Sequence, residues 1–408
     1  MRFILLSLLG FLLITCSSKT AEIKTGIWRG VLEIQGEHLP FNFEVIQDAT
    51  GGLDAILHNA EERLLLDEVE FQGDSLNMVL HVFDAYLRAT VKGDSLIGLF
   101  NLNYNPSYKV PFKAKYGQDF RFIQPANNIV TKNFTGKYEV QFFNEKDTSR
   151  AIALIEQTDG YARGSFVTST GDYRYLEGAV VNDTLHLSAF DGNHAYLFEV
   201  VQPTDSTLAG GHWLGKTRFR NWSGKLNDNA QLPDAESLTF LKPGYEKIEF
   251  SFPDLNGNAV TLSDDRFKNK VVVLQIFGTW CPNCMDETKF LAPWYEANKG
   301  RGVEIIGLAY ERKDDFTYAS ERVKKMKAKL NVPYEFLIAG VNDNAKAAET
   351  LPMLNKVVAF PTTIFIGKDG KVKHIHTGFE GPGTGIYYEQ FKERFNQIIN
   401  ELLAENPA

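Results

Sequence analysis

From Gly26 to about Asn227 apolar and polar positions alternate in short runs. Phe41-Asn42-Phe43-Glu44-Val45 and Tyr86-Leu87-Arg88-Ala89-Thr90-Val91 are typical, with turn signals such as Thr50-Gly51-Gly52, Gly73-Asp74 and Gly93-Asp94 between the runs. A period of two bounded by glycine turns predicts antiparallel hairpins. The pattern also repeats. Gly26-Ile27-Trp28 corresponds to Gly136-Lys137-Tyr138, and Gly73-Asp74-Ser75-Leu76 to Asn182-Asp183-Thr184-Leu185. Phe83-Asp84 before Ala85-Tyr86-Leu87 returns as Phe190-Asp191 before Ala195-Tyr196-Leu197. The offsets stay near about 110 residues, which predicts two copies of one unit, 24–118 and 132–228, each with about eight strands. Each copy is expected to close as a small barrel or sandwich and to carry no catalytic group.

Beyond a polar linker at 229–244 the pattern changes. Val271-Val272-Val273-Leu274-Gln275-Ile276-Phe277 is a continuous run suited to a strand buried on both faces. Helical and strand patterns then alternate to a last helix ending near Ala404. This predicts an α/β domain over 245–408 with parallel strands. The chain is therefore multidomain: a duplicated antiparallel all-β region followed by an α/β domain.

Residues 1–16 read as a signal segment, with Arg2 before an apolar run from Phe3 to Ile14 that is too short to span a membrane. The run ends in Leu13-Ile14-Thr15-Cys16, which resembles a bacterial lipobox, although Thr15 departs from the small residues usual there. Cys16 is the expected lipidation site. The protein is then expected in the cell envelope, as a periplasm-facing or surface lipoprotein. With 43 Lys and Arg against 51 Asp and Glu the net charge is −8, which argues against nucleic acid as a partner. Only 3 cysteines are present, so no disulfide scaffold is expected.

The other two cysteines form Trp280-Cys281-Pro282-Asn283-Cys284, between the apolar strand and a predicted helix. That order puts Cys281 at a helix N-cap, where backbone N–H groups and the helix dipole favour a thiolate. Pro282 falls at the first helical position, where its missing N–H is harmless. Cys281 is the candidate nucleophile, and Cys284, one turn further in, resolves the mixed disulfide. Glu287 lies one further turn along the same helix and can approach the pair, with Asp286 the less well-placed competitor. A lone Cys-x-x-Cys is a poor zinc site, so no metal is expected. His374 and His376 share a strand face and read as exposed strand residues.

With Phe250-Ser251-Phe252-Pro253-Asp254, Val260-Thr261-Leu262-Ser263 and Phe360-Pro361-Thr362, the cysteine motif makes residues 245–404 similar to the thioredoxin-like domain of the TlpA/ResA family of extracytoplasmic thiol-disulfide oxidoreductases. The resemblance implies a redox-active Cys281–Cys284 disulfide and no cofactor. It implies a cis bond before Pro361 that brings the Phe360 backbone beside Cys281, and Trp280 covering the pair. Trp280, Pro282, Phe360 and Pro361 would form the substrate-binding loops. Gln275 stands where thioredoxins resemble one another in having a buried Asp, and Gln cannot take a proton. Glu287 is then the expected proton-transfer group. The implied partners are a client protein with a disulfide and a membrane thiol-disulfide electron donor. The competing expectation is a lipid-anchored binding protein whose β region captures a ligand or partner, with an auxiliary redox centre.

Overall fold

The computed structural model describes residues 22–405. The signal segment and Cys16 lie outside the described residues. Eight strands come first, β1 to β8: Gly26–Ile34, Glu37–Gln47, Leu53–Asn59, Glu62–Gln72, Ser75–Val79, Ala85–Lys92, Ser95–Leu102 and Asn105–Tyr116. Each pairs antiparallel with its sequence neighbour, and β1 also pairs with β8, which closes a barrel. The alternation along β1 turns Trp28, Gly30, Leu32 and Ile34 inward. Closure leaves no sheet edge for a second chain to extend.

The second copy contains β9 to β17: Gly136–Phe143, Thr148–Thr158, Tyr161–Thr168, Gly171–Asp172, Leu176–Val181, Thr184–Phe190, Ala195–Thr204, Thr207–Leu214 and Phe219–Leu226. Eight of these close a second barrel through the β9–β17 and β10–β11 pairings. The ninth, β12, is a two-residue strand laid against the end of β11. The repeat seen in the sequence is therefore a repeat of strands. Gly26 and Gly136 open the first strand of each barrel, Ser75 and Thr184 the fifth, and Ala85 and Ala195 the sixth. The copies differ in the lengths of several connections, most at the one between the third and fourth strands. In the first barrel β3 turns into β4 through Ala60-Glu61, whereas residues 169–175, including β12, form the matching connection of the second.

Aromatic side chains fill both barrels. Trp28, Phe41, Phe43, Phe100 and Phe112 are buried in the first, and Phe142, Phe166, Phe198 and Trp222 in the second. The barrels also share a contact. Phe190, fully buried, lies 4.6 Å from the ring of Phe41 and 5.2 Å from that of Phe100.

The third domain is built on a five-stranded sheet. The chain runs through β18 (Phe252–Pro253), β19 (Ala259–Val260), β20 (Val271–Phe277), α1 (Pro282–Asn298), β21 (Val303–Glu311), α2 (Phe316–Lys329), β22 (Glu335–Val341), α3 (Asn344–Thr350), β23 (Thr362–Ile366), β24 (Val372–Thr377) and α4 (Ile386–Ala404). The strand order is β22-β21-β20-β23-β24, with β20, β21 and β22 parallel and β23 and β24 antiparallel to their neighbours. Every residue of β20 is buried. No helix among the described residues is long and apolar enough to cross a membrane.

The segment 229–244 lies along this domain. Glu236 bonds to His374 and Arg394, buried Thr239 to Thr377, and Leu241 bridges to Leu354. This corrects one expectation. His374 and His376 are half-buried and paired, with Glu236 at 2.8 Å and Glu380 at 3.4 Å, because neighbouring segments cover their strand face.

The Phe190 contact yields a stability prediction. Phe190→Ala empties a site shared by two barrels and should lower the unfolding free energy by about 3–5 kcal/mol. Urea unfolding followed by circular dichroism checks this; a loss below about 1 kcal/mol would show that the barrels do not depend on each other there.

Candidate active site

The end of β20 delivers the cysteine motif to the surface of the third domain. Cys281 is the N-cap of α1, with extended backbone (φ −103°, ψ 110°), and Pro282 is the first helical residue. Cys281 and Cys284 are joined in a disulfide. The Cys284 N–H donates to Cys281 Sγ at 3.1 Å, as an N-cap acceptor requires. Cys281 is 5% exposed and Cys284 is fully buried, so only the first sulfur has any access.

Two loops frame the pair. The Phe360–Pro361 bond is cis, and the Phe360 carbonyl oxygen lies 3.4 Å from Cys281 Sγ. The Trp280 ring meets Phe360 edge-on at 5.4 Å, and its indole N–H donates to the Tyr310 carbonyl at 2.7 Å. Gly278 makes room for that ring, since a Cβ there would lie 2.1 Å from the indole nitrogen. The Glu311 carboxylate fixes the turn by accepting from Thr279 N–H and Oγ–H at 2.7 and 2.8 Å.

Behind the disulfide lies a buried polar network. Gln275 Nε2 donates to Glu287 at 2.8 Å and contacts the Cys284 carbonyl at 3.4 Å. Thr363 Oγ donates to the other oxygen of Glu287. Glu287 is fully buried with neutral donors only, and burial pushes its carboxyl up to about 7. The structure thus places Gln275 as the group linking Glu287 to the Cys284 backbone.

Asp286 faces the opposite way, toward the barrels. It forms a two-point pair with Arg174 of the second barrel, at 2.7 Å (Nε to Oδ2) and 3.0 Å (Nη2 to Oδ1). The same guanidinium binds Asp191 of the second barrel at 2.7 Å and Glu62 of the first at 2.5 Å. The connection that contains β12 is pressed onto the cysteine motif. Asn283 donates to the Asp172 carbonyl at 3.1 Å, and the Asp172 carboxylate accepts from Gly381 N–H at 2.5 Å. Gly378 (φ +85°) has no space for a side chain, since a Cβ there would lie 2.9 Å from the Thr170 carbonyl carbon. Burial raises Asp172 to about 7, with Asp286 adding to the effect.

Sequence reasoning missed Arg174, Glu62, Asp172 and Asp191. One signal was present. The repeated Phe-Asp pair supplies Asp191 here and Asp84 in the first barrel, where Tyr318 of α2 donates to Asp84 at 2.9 Å.

The Redoxin family profile matches residues 229–390. The thiol-disulfide oxidoreductase ResA of Bacillus thuringiensis subsp. konkukian is 33% identical over 162 residues, covering 40% of this chain and 79% of that protein. The chain belongs to the ResA family. ResA of Bacillus subtilis is 30% identical over 152 residues, 37% of this chain and 74% of its own length. A thiol:disulfide interchange protein of the thioredoxin family from Chlorobium tepidum is 19% identical, covering 39% of this chain and 96% of that one, with a TM-score of 0.31. Like its ResA relatives, this chain is a thiol-disulfide oxidoreductase, with a thioredoxin-like third domain behind two β-barrels.

The buried carboxyl of Glu287 gives a pH prediction. Its value rises from 4.5 to about 7 in the folded chain, so the folded state binds the proton more tightly than the unfolded state. The stability it contributes is complete below pH 4.5 and is lost as pH rises through about 7, an effect of about 3 kcal/mol. Glu287→Gln should be free of that loss. Urea unfolding of both proteins from pH 4.5 to 8 should show the variant gaining on the wild type as pH rises; a constant difference would rule out a raised Glu287.

Proposed function

We propose that the protein is a membrane-anchored, extracytoplasmic reductase of protein disulfides. The observation that carries this reading is the dithiol pair itself: Cys281 alone has access, caps α1, and lies against the Phe360 carbonyl. In the reduced protein the Cys281 thiolate attacks one sulfur of a client disulfide, and the other client sulfur leaves as a thiolate. Cys284 then attacks Cys281 Sγ and releases the second client thiol. The two electrons reach the client, and the Cys281–Cys284 disulfide is the enzyme's oxidised product. A membrane thiol-disulfide donor resets the pair.

Glu287 is the proton-transfer group for Cys284 in this reading. Its carboxyl is buried, sits near 7, and connects to the Cys284 backbone through Gln275. Trp280, Pro282, Phe360 and Pro361 are the loops that receive the client chain. The Phe360 backbone offers an extended client a pairing edge, and Trp280 shields the mixed disulfide from water. Cys16 carries the lipid that holds the chain in the cell envelope, so the dithiol works outside the cytoplasm.

Trapping tests the chemistry. Cys284→Ser should accumulate a mixed disulfide with insulin through Cys281, whereas Cys281→Ser should form none and lose at least a hundredfold in reduction rate. Trapping through Cys284 instead would overturn the assignment. Anchoring has its own test: the intact protein should partition with membranes and carry a lipid mass at Cys16, and Cys16→Ser should be released. A wild-type mass without lipid would contradict it.

A further inference from the structure

The junction of the three domains holds two cations that lack the partners buried cations ordinarily have. Arg312 follows β21, and Lys216 lies between β16 and β17 of the second barrel. Both are half-buried, and among the described residues neither lies within salt-bridge distance of a carboxylate. They converge on one neutral acceptor. Asn193 Oδ1 accepts from Lys216 Nζ at 3.0 Å and from Arg312 Nη2 at 3.0 Å. Lys216 Nζ also reaches the Tyr104 hydroxyl of the first barrel at 3.3 Å, and the Arg312 guanidinium lies 3.8 Å from the Tyr104 ring centroid. Arg312 Nε is buried without a partner.

The carboxylates nearby are committed elsewhere: Asp191 to Arg174, Asp84 to Tyr318, and Glu311 to Thr279. Two like charges brought this close repel each other and lose hydration; Asp191 offsets part of this for Lys216, and Glu311 and Asp84 for Arg312, but none makes a direct ion pair with either. Lys216 shows the result, lowered to about 8 by burial first and by Arg312 second. A bound anion would reverse both effects.

The pair stands beside the redox centre. Arg312 is 5.6 Å from the Trp280 ring centroid, Trp280 packs on Phe360, and the Phe360 carbonyl touches Cys281 Sγ. We propose that Arg312 and Lys216, with Tyr104 and Asn193, form an anion subsite that receives a carboxylate carried by the disulfide substrate. The proposal rests on the reductase reading and adds to it a preference for substrates with acidic groups near the attacked sulfur. An extended chain covers ~3.3 Å per residue, so a glutamate about two to four residues from the attacked cysteine spans the two ring contacts that intervene. The site draws on all three domains, so the isolated third domain would not have it.

The test uses the full chain in reduced form and two disulfide-bridged peptides with identical cysteines, one flanked by glutamates and one by glutamines. The wild type should oxidise about tenfold faster with the glutamate peptide at low salt, as one charge-assisted contact provides, and the preference should shrink as salt rises. Arg312→Gln and Lys216→Gln should each bring the ratio of the two rates close to one, and Arg312→Lys should restore part of it. Oxidised glutathione separates the sources of the carboxylate. If its rate falls with that of the glutamate peptide, small carboxylate disulfides use the site; if only the peptide rate falls, the carboxylate is a polypeptide one. A wild type without the preference, or both Gln variants retaining it, would overturn the subsite. If the wild type reduces neither peptide, the reductase reading fails instead. Calorimetry of the oxidised protein with the glutamate peptide, its cysteines replaced by serine, then decides the subsite by itself: weaker binding in both Gln variants supports it, and equal binding overturns it.

Discussion

One guanidinium joins the three domains. Arg174 is almost fully enclosed and is shared by Glu62 of the first barrel, Asp191 of the second and Asp286 of the redox domain. A charge taken out of water is tolerable only when it is paired and its donors are satisfied, and Arg174 meets that condition with one carboxylate from each domain. Truncating Arg174 in the folded chain would leave those buried carboxylates without their shared cation, at a cost of about 3–5 kcal/mol. Because Asp286 lies two residues beyond Cys284, the shared charge fixes the barrels directly against the cysteine helix. The close approach at Gly378 and the Asn283–Asp172 bond are possible only with the domains held this way.

That arrangement changes what a thioredoxin-like site presents to its surroundings. Cys281 is nearly buried and Cys284 fully buried. Groups of both barrels lie around them, with Asp172 on the Asn283 side and Tyr104, Asn193 and Lys216 toward Trp280. The β region therefore packs polar groups beside the redox centre although it contributes no cysteine to it.

What was legible in the sequence is what local patterning controls. The strand-turn-helix order around Cys281 fixes its N-cap position, and the continuous apolar run of β20 marks a strand covered on both sides. The barrels showed themselves through the constant spacing of Gly26 and Gly136, or Ala85 and Ala195, because closure demands the same strand order in each copy. Arg174 was not legible. Its partners Glu62 and Asp286 each lie 112 residues away, in opposite directions. Nothing in the neighbourhood of any of them marks it as one of a pair. The half-buried state of His374 was hidden for the same reason, since Glu236 comes from the segment before the domain. The position of Glu287 near the pair follows from helical spacing alone, but its link through Gln275 depends on how the helix lies on the sheet.

The unequal turns between the third and fourth strands of the barrels make the two copies distinct workers. In the first barrel a two-residue turn braces Arg174 through Glu62. In the second the longer connection carries β12 out as a finger that rests on the cysteine loop. Duplication supplied two like bodies, and a few added residues in one of them divided their labour. The two turns thus have different neighbours: the short one lies against the second barrel, with Ala60 N–H donating to Glu177, and the long one against the cysteine loop.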